Sequence, residues 1–97
     1  MTVGERFGAN FKRCRRRVGL SQEEVGVLAD LHRTHISLME RGERVPRIDT
    51  LIKVAAVVEA DVGELLAGID WVTKPQGGGS FYVAPWAVPL PGRGPTL

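Results

Sequence analysis

The stretch "GLSQEEVGVLADLHRTHISLMERGERVP", residues 19–46, contains two short helical segments with almost nothing between them. Ser21 followed three residues later by Glu24 forms a capping box, in which each side chain takes a free N–H at the start of a helix. A helix therefore begins near Gln22 and runs to Ala29, with Val25, Leu28 and Ala29 turned inward. Asp30 then stands where the chain must turn, and Asp tolerates positive φ better than most residues. A second helix over 32–40 turns Ile36 and Met39 inward and stops at Gly42, while Pro46 pushes Val45 out of the helical region. Two helices of this length on so tight a turn make a helix-turn-helix.

Outward from this unit, Phe7, Phe11, Cys14 and Val18 recur at helical spacing, which predicts a first helix over 5–18 ending near Gly19. Asp49 lies near the start of a fourth helix carrying Leu51, Ile52, Val54, Ala55 and Val58. Asp61 caps a short fifth helix with Val62, Leu65 and Leu66, closing near Gly68. The expected fold is all-α, a compact five-helix domain over residues 1–70. Composition changes after that point. Residues 71–97 hold five of the six prolines and read as an extended or disordered tail. Its aromatic residues Phe81, Tyr82 and Trp86 leave room for a packing role or a protein partner.

Composition narrows the function classes. With 97 residues, 43% hydrophobic and 25% charged, the chain can bury one modest core. Its single cysteine, Cys14, excludes an intrachain disulfide framework, fits a reducing compartment and sits on the inward stripe of the first helix. The longest apolar run, Val54 to Val58, is far short of a membrane span, so no membrane association is expected and the cytoplasm is the expected location. Net charge is +2, but it is unevenly spread. Residues 1–47 carry ten Lys or Arg against six Asp or Glu, whereas residues 48–70 carry one lysine against five acids. A basic front and an acidic back steer a polyanion to one face.

His32 and His35 stand at i, i+3 on one helix, a spacing that invites a metal or a catalytic reading. No cysteine lies nearby in sequence to complete a closed metal site, and no nucleophile with an orienting acid shares that face. The register of the helix-turn-helix explains the spacing better. No metal, cofactor or enzymatic activity is expected.

Taken in order, "GLSQEE", "ISLMERGER" followed by Pro46, and the Leu51, Lys53, Ala55 run before "ELL" resemble the Xre/Cro family of lambda-repressor-like DNA-binding domains. The resemblance spans residues 5–70. It departs from the family at Gly26, where alanine is usual, and at Asp30, where glycine is usual; Gly26 should cost its helix up to about 1 kcal/mol relative to alanine. The resemblance implies a third helix in the major groove of double-stranded DNA, with Arg33, Thr34, Ser37 and Leu38 facing base edges. Arg33 suits a bidentate contact with guanine, and Thr34 and Leu38 suit a thymine methyl. Gln22, His32, Arg41 and Arg47 fall where phosphates are held, while Arg44 reads equally as a phosphate contact or a solvated side chain.

The same resemblance implies a structural salt bridge between Arg15 and Glu40. Lys12, Arg13, Arg16 and Arg17, the rest of the "KRCRRR" cluster, read as a solvated positive face. It further implies a homodimer on an inverted-repeat operator, with Leu65, Leu66, Ile69 and Trp71 as apolar candidates for the interface, Leu65 and Leu66 equally as core. The leading functional expectation is a sequence-specific transcriptional regulator, a repressor. Its rivals are an autoregulating antitoxin whose tail grips a toxin, and a protein-interaction module that has lost DNA specificity.

Overall fold

The structure, a computed structural model, describes residues 1–85. Five helices come first: α1 Val3–Arg17, α2 Gln22–Ala29, α3 Arg33–Glu40, α4 Ile48–Val57 and α5 Val62–Leu65. Two strands follow, β1 Ile69–Thr73 and β2 Gly79–Val83, paired antiparallel with Trp71 opposite Phe81. The fold is therefore not purely all-α, and residues 69–83 are a β-hairpin instead of an extended or disordered tail. Proline disfavours the middle of a sheet, but no proline lies within either strand. Gly77 and Gly78 supply the positive φ values, 105° and 75°, that close the turn. Strand β1 crosses residue 70, where the sequence places the end of the domain. Trp86 and the rest of residues 86–97 lie outside the described part.

Local chemistry sets the helix ends. Thr2 and Glu5 form a capping box at α1, which therefore starts at Val3, ahead of the expected residue 5. Ser21 and Glu24 form the second box, at α2. Asp30 takes φ 57° and turns the chain from α2 to α3.

Phe7, Phe11, Cys14, Val25, Ala29, Ile36, Met39, Val54, Ala55, Val58 and Leu65 make the buried core. Each removes roughly 1.5–3 kcal/mol of apolar exposure if it is a large side chain. Leu28, expected inside, is 63% exposed, and Ile52 of α4 is 57% exposed. Helix α2 packs between α3 and α4, so the Val25, Gly26, Ala29 side is used up and Leu28 is left outside. Val62 and Leu66 are also surface residues, because a four-residue helix has room to bury only Leu65.

Two polar residues of α1 are buried with the core. Asn10 donates from Nδ2 to the carbonyls of Leu65 and Ala67, both at 2.9 Å, and so closes the end of α5. Arg6, only 1% exposed, donates to the carbonyl of Ala84 at 3.2 Å and ties the hairpin to α1. Both are polar, so an apolar periodicity does not mark them, although Asn10 stands three residues after Phe7 and four before Cys14 on the inward stripe.

Candidate nucleic-acid interface

Helix α3 is positioned by close backbone approaches. Gly8 of α1 lies so near the end of α3 that an added Cβ would stand 2.5 Å from the carbonyl oxygens of Met39 and Glu40. Gly26 of α2 lies equally close to its start, since a Cβ there would be 2.6 Å from the Leu31 carbonyl oxygen. Glycine at 26 weakens α2 but lets the turn come this near. Gly8 was missed in the sequence reading. Its signal is a glycine at i+4 from Gly4, which meets the carbonyl of Gly42 in the same way.

A polar cluster locks the same joint. The Arg15 guanidinium makes a bidentate pair with Glu40, with Nη2 3.0 Å from Oε1, and a further bond from Nη1 to the Leu20 carbonyl at 2.8 Å. Both side chains are nearly buried, at 11% and 3% exposure. The hydrogen bond to Glu40 raises the Arg15 pKa against the opposing effect of burial. Gln22 donates from Nε2 to the same Glu40 oxygen at 3.1 Å. One carboxylate thus joins α1, the first residue of α2 and the last turn of α3. The Gln22 side chain is held by this cluster, which leaves the position at the start of α2, where a phosphate is expected, to the backbone N–H groups.

Arg33 and Thr34, at the start of α3, are exposed; Ser37 and Leu38, one turn later on the same side, are half-buried. His32 is the N-cap of α3: its Nδ1 accepts from the Thr34 N–H at 3.0 Å, which leaves Nε2 as the outward donor. The role expected for it at a phosphate is thus joined by a structural one. His35 is half-buried, and burial, reinforced by Arg44 and Lys53, lowers its pKa and favours the neutral ring. Beyond the helix, Arg41 donates to the Ser37 hydroxyl and to Glu43, each at 2.8 Å. Arg44 is exposed, and Arg47, its side chain 86% exposed, lies 3.7 Å from Asp49. Of the first-helix basic cluster, Arg17 pairs with Glu64 and is not simply solvated.

Among the described residues no group of three His, Cys, Asp or Glu side chains gathers as a metal site. No helix there is long and apolar enough to cross a membrane. Cys14 is fully buried, and burial raises its thiol pKa.

With this geometry in view, comparison with known proteins is direct. The family model described as "Helix-turn-helix domain" matches residues 6–67. An uncharacterised HTH-type transcriptional regulator, y4dJ of Sinorhizobium fredii, is 36% identical over 70 residues, which span 72% of this chain and 91% of the relative. Control protein C.SmaI of Serratia marcescens is 36% identical over 66 residues, 68% of this chain and 79% of that protein. Among solved structures, the restriction-modification controller protein C.AhdI of Aeromonas hydrophila superposes with a TM-score of 0.62 at 31% identity, over 64% of this chain and 90% of its own. Matching segments, matching helices and matching order leave one assignment: the chain belongs to the helix-turn-helix domain family of transcriptional regulators, of the Xre/Cro type.

Proposed function

We propose that this regulator is a sequence-specific repressor that lays α3 in the major groove and binds an inverted-repeat operator as a homodimer. The observation that carries the reading is the front of α3. Arg33 and Thr34 stand exposed at the end of a helix whose position is set on both sides by glycine contacts and the Arg15–Glu40 cluster. A rigid helix presenting a bidentate donor and a small methyl-bearing side chain suits the reading of base edges. Ser37 and Leu38 add a narrower contact one turn on. Arg41, Arg44 and Arg47 supply phosphate contacts around it, with the outward His32 Nε2 as a further donor. Arg41 must leave Glu43 to do so, at little cost, because exposed ion pairs contribute only about 0–1 kcal/mol. Gln22 contributes through its place at the start of α2, not through a free side chain.

Selection of bound DNA from a random pool at near-physiological salt tests the proposal. An enriched inverted repeat is expected. Binding that fades with salt and enriches nothing would overturn it in favour of an interaction module. On the selected site, Arg33→Ala is expected to cost about 1–3 kcal/mol and relax one base position. Arg47→Ala should weaken all sequences alike and reduce the salt slope by about one. A uniform loss from Arg33→Ala would remove it from base reading.

A further inference from the structure

The hairpin leaves a cluster of large apolar side chains in water. Trp71, Val72, Phe81 and Tyr82 are each more than half exposed, and Trp71 meets Phe81 edge to face with ring centroids 5.0 Å apart. A two-stranded unit needs a helix or further strands to be stable in water; α1 supports this hairpin, but its apolar side chains remain uncovered.

The hydrogen-bond pattern shows which backbone groups are available. The Ala84 N–H bonds to the Gly68 carbonyl, and the Lys74 N–H bonds to the Gly78 carbonyl. In an antiparallel ladder, bonded and non-bonded pairs alternate. The pairs Asp70–Tyr82 and Val72–Ser80 are therefore the bonded ones between these ends. The N–H and C=O groups of Gly79, Phe81 and Val83 point away from β1. Among the described residues, no other element bonds to them.

The two edges of the hairpin differ in charge. Strand β1 contains Asp70 and is followed by Lys74, the kind of charged residue that guards an edge. Strand β2, "GSFYV", has no charge and no proline. It also suits pairing with its own copy. An antiparallel pair centred on Phe81 sets Phe81 opposite Phe81 and Gly79 opposite Val83, with outward N–H and C=O groups meeting at all three positions. The Trp71 and Phe81 rings of both copies then form one row across a four-stranded sheet. A charged partner finds nothing complementary on this edge, whereas a second copy satisfies every outward group. The hairpin packs on α1, away from α3, so this contact leaves α3 free.

We propose that two copies of this chain associate through β2, edge to edge about Phe81. The inference rests on the homodimer in the function proposed above and moves its interface from α5, whose Leu65 is fully buried in its own core, to the hairpin. The full-length chain tests it. Phe81→Pro removes an outward N–H that the hairpin's own ladder does not use, so the hairpin survives while strand addition is blocked. Sedimentation should show dimer affinity falling at least about tenfold for Phe81→Pro and little changed for Phe81→Leu, which keeps the N–H. Phe81→Cys supplies an independent readout. A pair with Cα atoms about 5.5 Å apart lies within disulfide range, so mild oxidation should link the two copies, and buried Cys14 does not compete. Unchanged dimerisation of Phe81→Pro together with no linkage of Phe81→Cys overturns the interface, even where inverted-repeat binding persists. A chain that enriches an inverted repeat yet stays monomeric on it overturns it as well. Failure to enrich any DNA would strike the function alone, because the sedimentation result does not depend on DNA.

Discussion

The α1–α3 joint and the β-hairpin use glycine and polar bonds to opposite ends. At the joint, Gly8 and Gly26 bring backbones so close that no side chain fits, and Glu40 accepts from two separate helices. In the hairpin, Gly77 and Gly78 only turn the chain, with open space around both, and the side chains of the strands mostly face water. One hydrogen bond from buried Arg6 to Ala84, and the Arg6 stem lying against Gly68, hold the base of the hairpin on α1. A reading helix has to be fixed before it meets its ligand, because any slack is lost as affinity and specificity. An assembly strand has to remain open until its partner arrives.

Substitutions should separate the two regions, and the largest loss belongs to Gly8. Gly8→Val is expected to cost about 3 kcal/mol or more in denaturant unfolding, since the atoms it would strike are backbone. A near wild-type midpoint would mean that α1 and α3 are not in close contact. Next comes the ion pair. Arg15→Met or Glu40→Gln alone should each cost about 3 kcal/mol, because either strands a nearly buried partner. The double variant should lose much less than the two losses combined; additive losses would break the direct pairing.

Gly26→Ala sharpens the comparison from the other side. Alanine improves α2 by about 1 kcal/mol, but the Cβ meets the Leu31 carbonyl, so a net loss of about 1 kcal/mol is expected from the thermal midpoint. A gain would show that the turn yields easily. The smallest effect belongs to the hairpin. Tyr82→Thr, at a residue 56% exposed, should change unfolding of the dilute monomer by about 0.5 kcal/mol or less, with amide-exchange protection of α1 and α3 unchanged. A larger loss would make the hairpin part of the same cooperative unit as the joint.

Much of the helical body was legible from local chemistry. The Ser21–Glu24 box, the turn at Asp30 and the inward stripe Phe7, Phe11, Cys14 each depend on residues a few positions apart, and the structure contains them all. The exposure of Leu28 was not legible, because periodicity finds an apolar stripe but not how many neighbours a helix has to cover it. The role of His32 was half legible: its place before α3 is local, but whether it caps the helix depends on its ring orientation. The side-chain partners of Gln22 and Arg41, Glu40 and Glu43, are supplied only by three-dimensional proximity.

By itself the sequence determined five helices, a helix-turn-helix and a basic front, because caps, turns and periodicity are written within single turns of chain. Tertiary structure alone decided that Gly8 seats the end of α3, that Arg6 and Asn10 belong inside, and that the hairpin of residues 69–83 docks on α1. Those outcomes join residues far apart in sequence, as with Arg6 and Ala84, and no local preference records which distant backbone will come within reach.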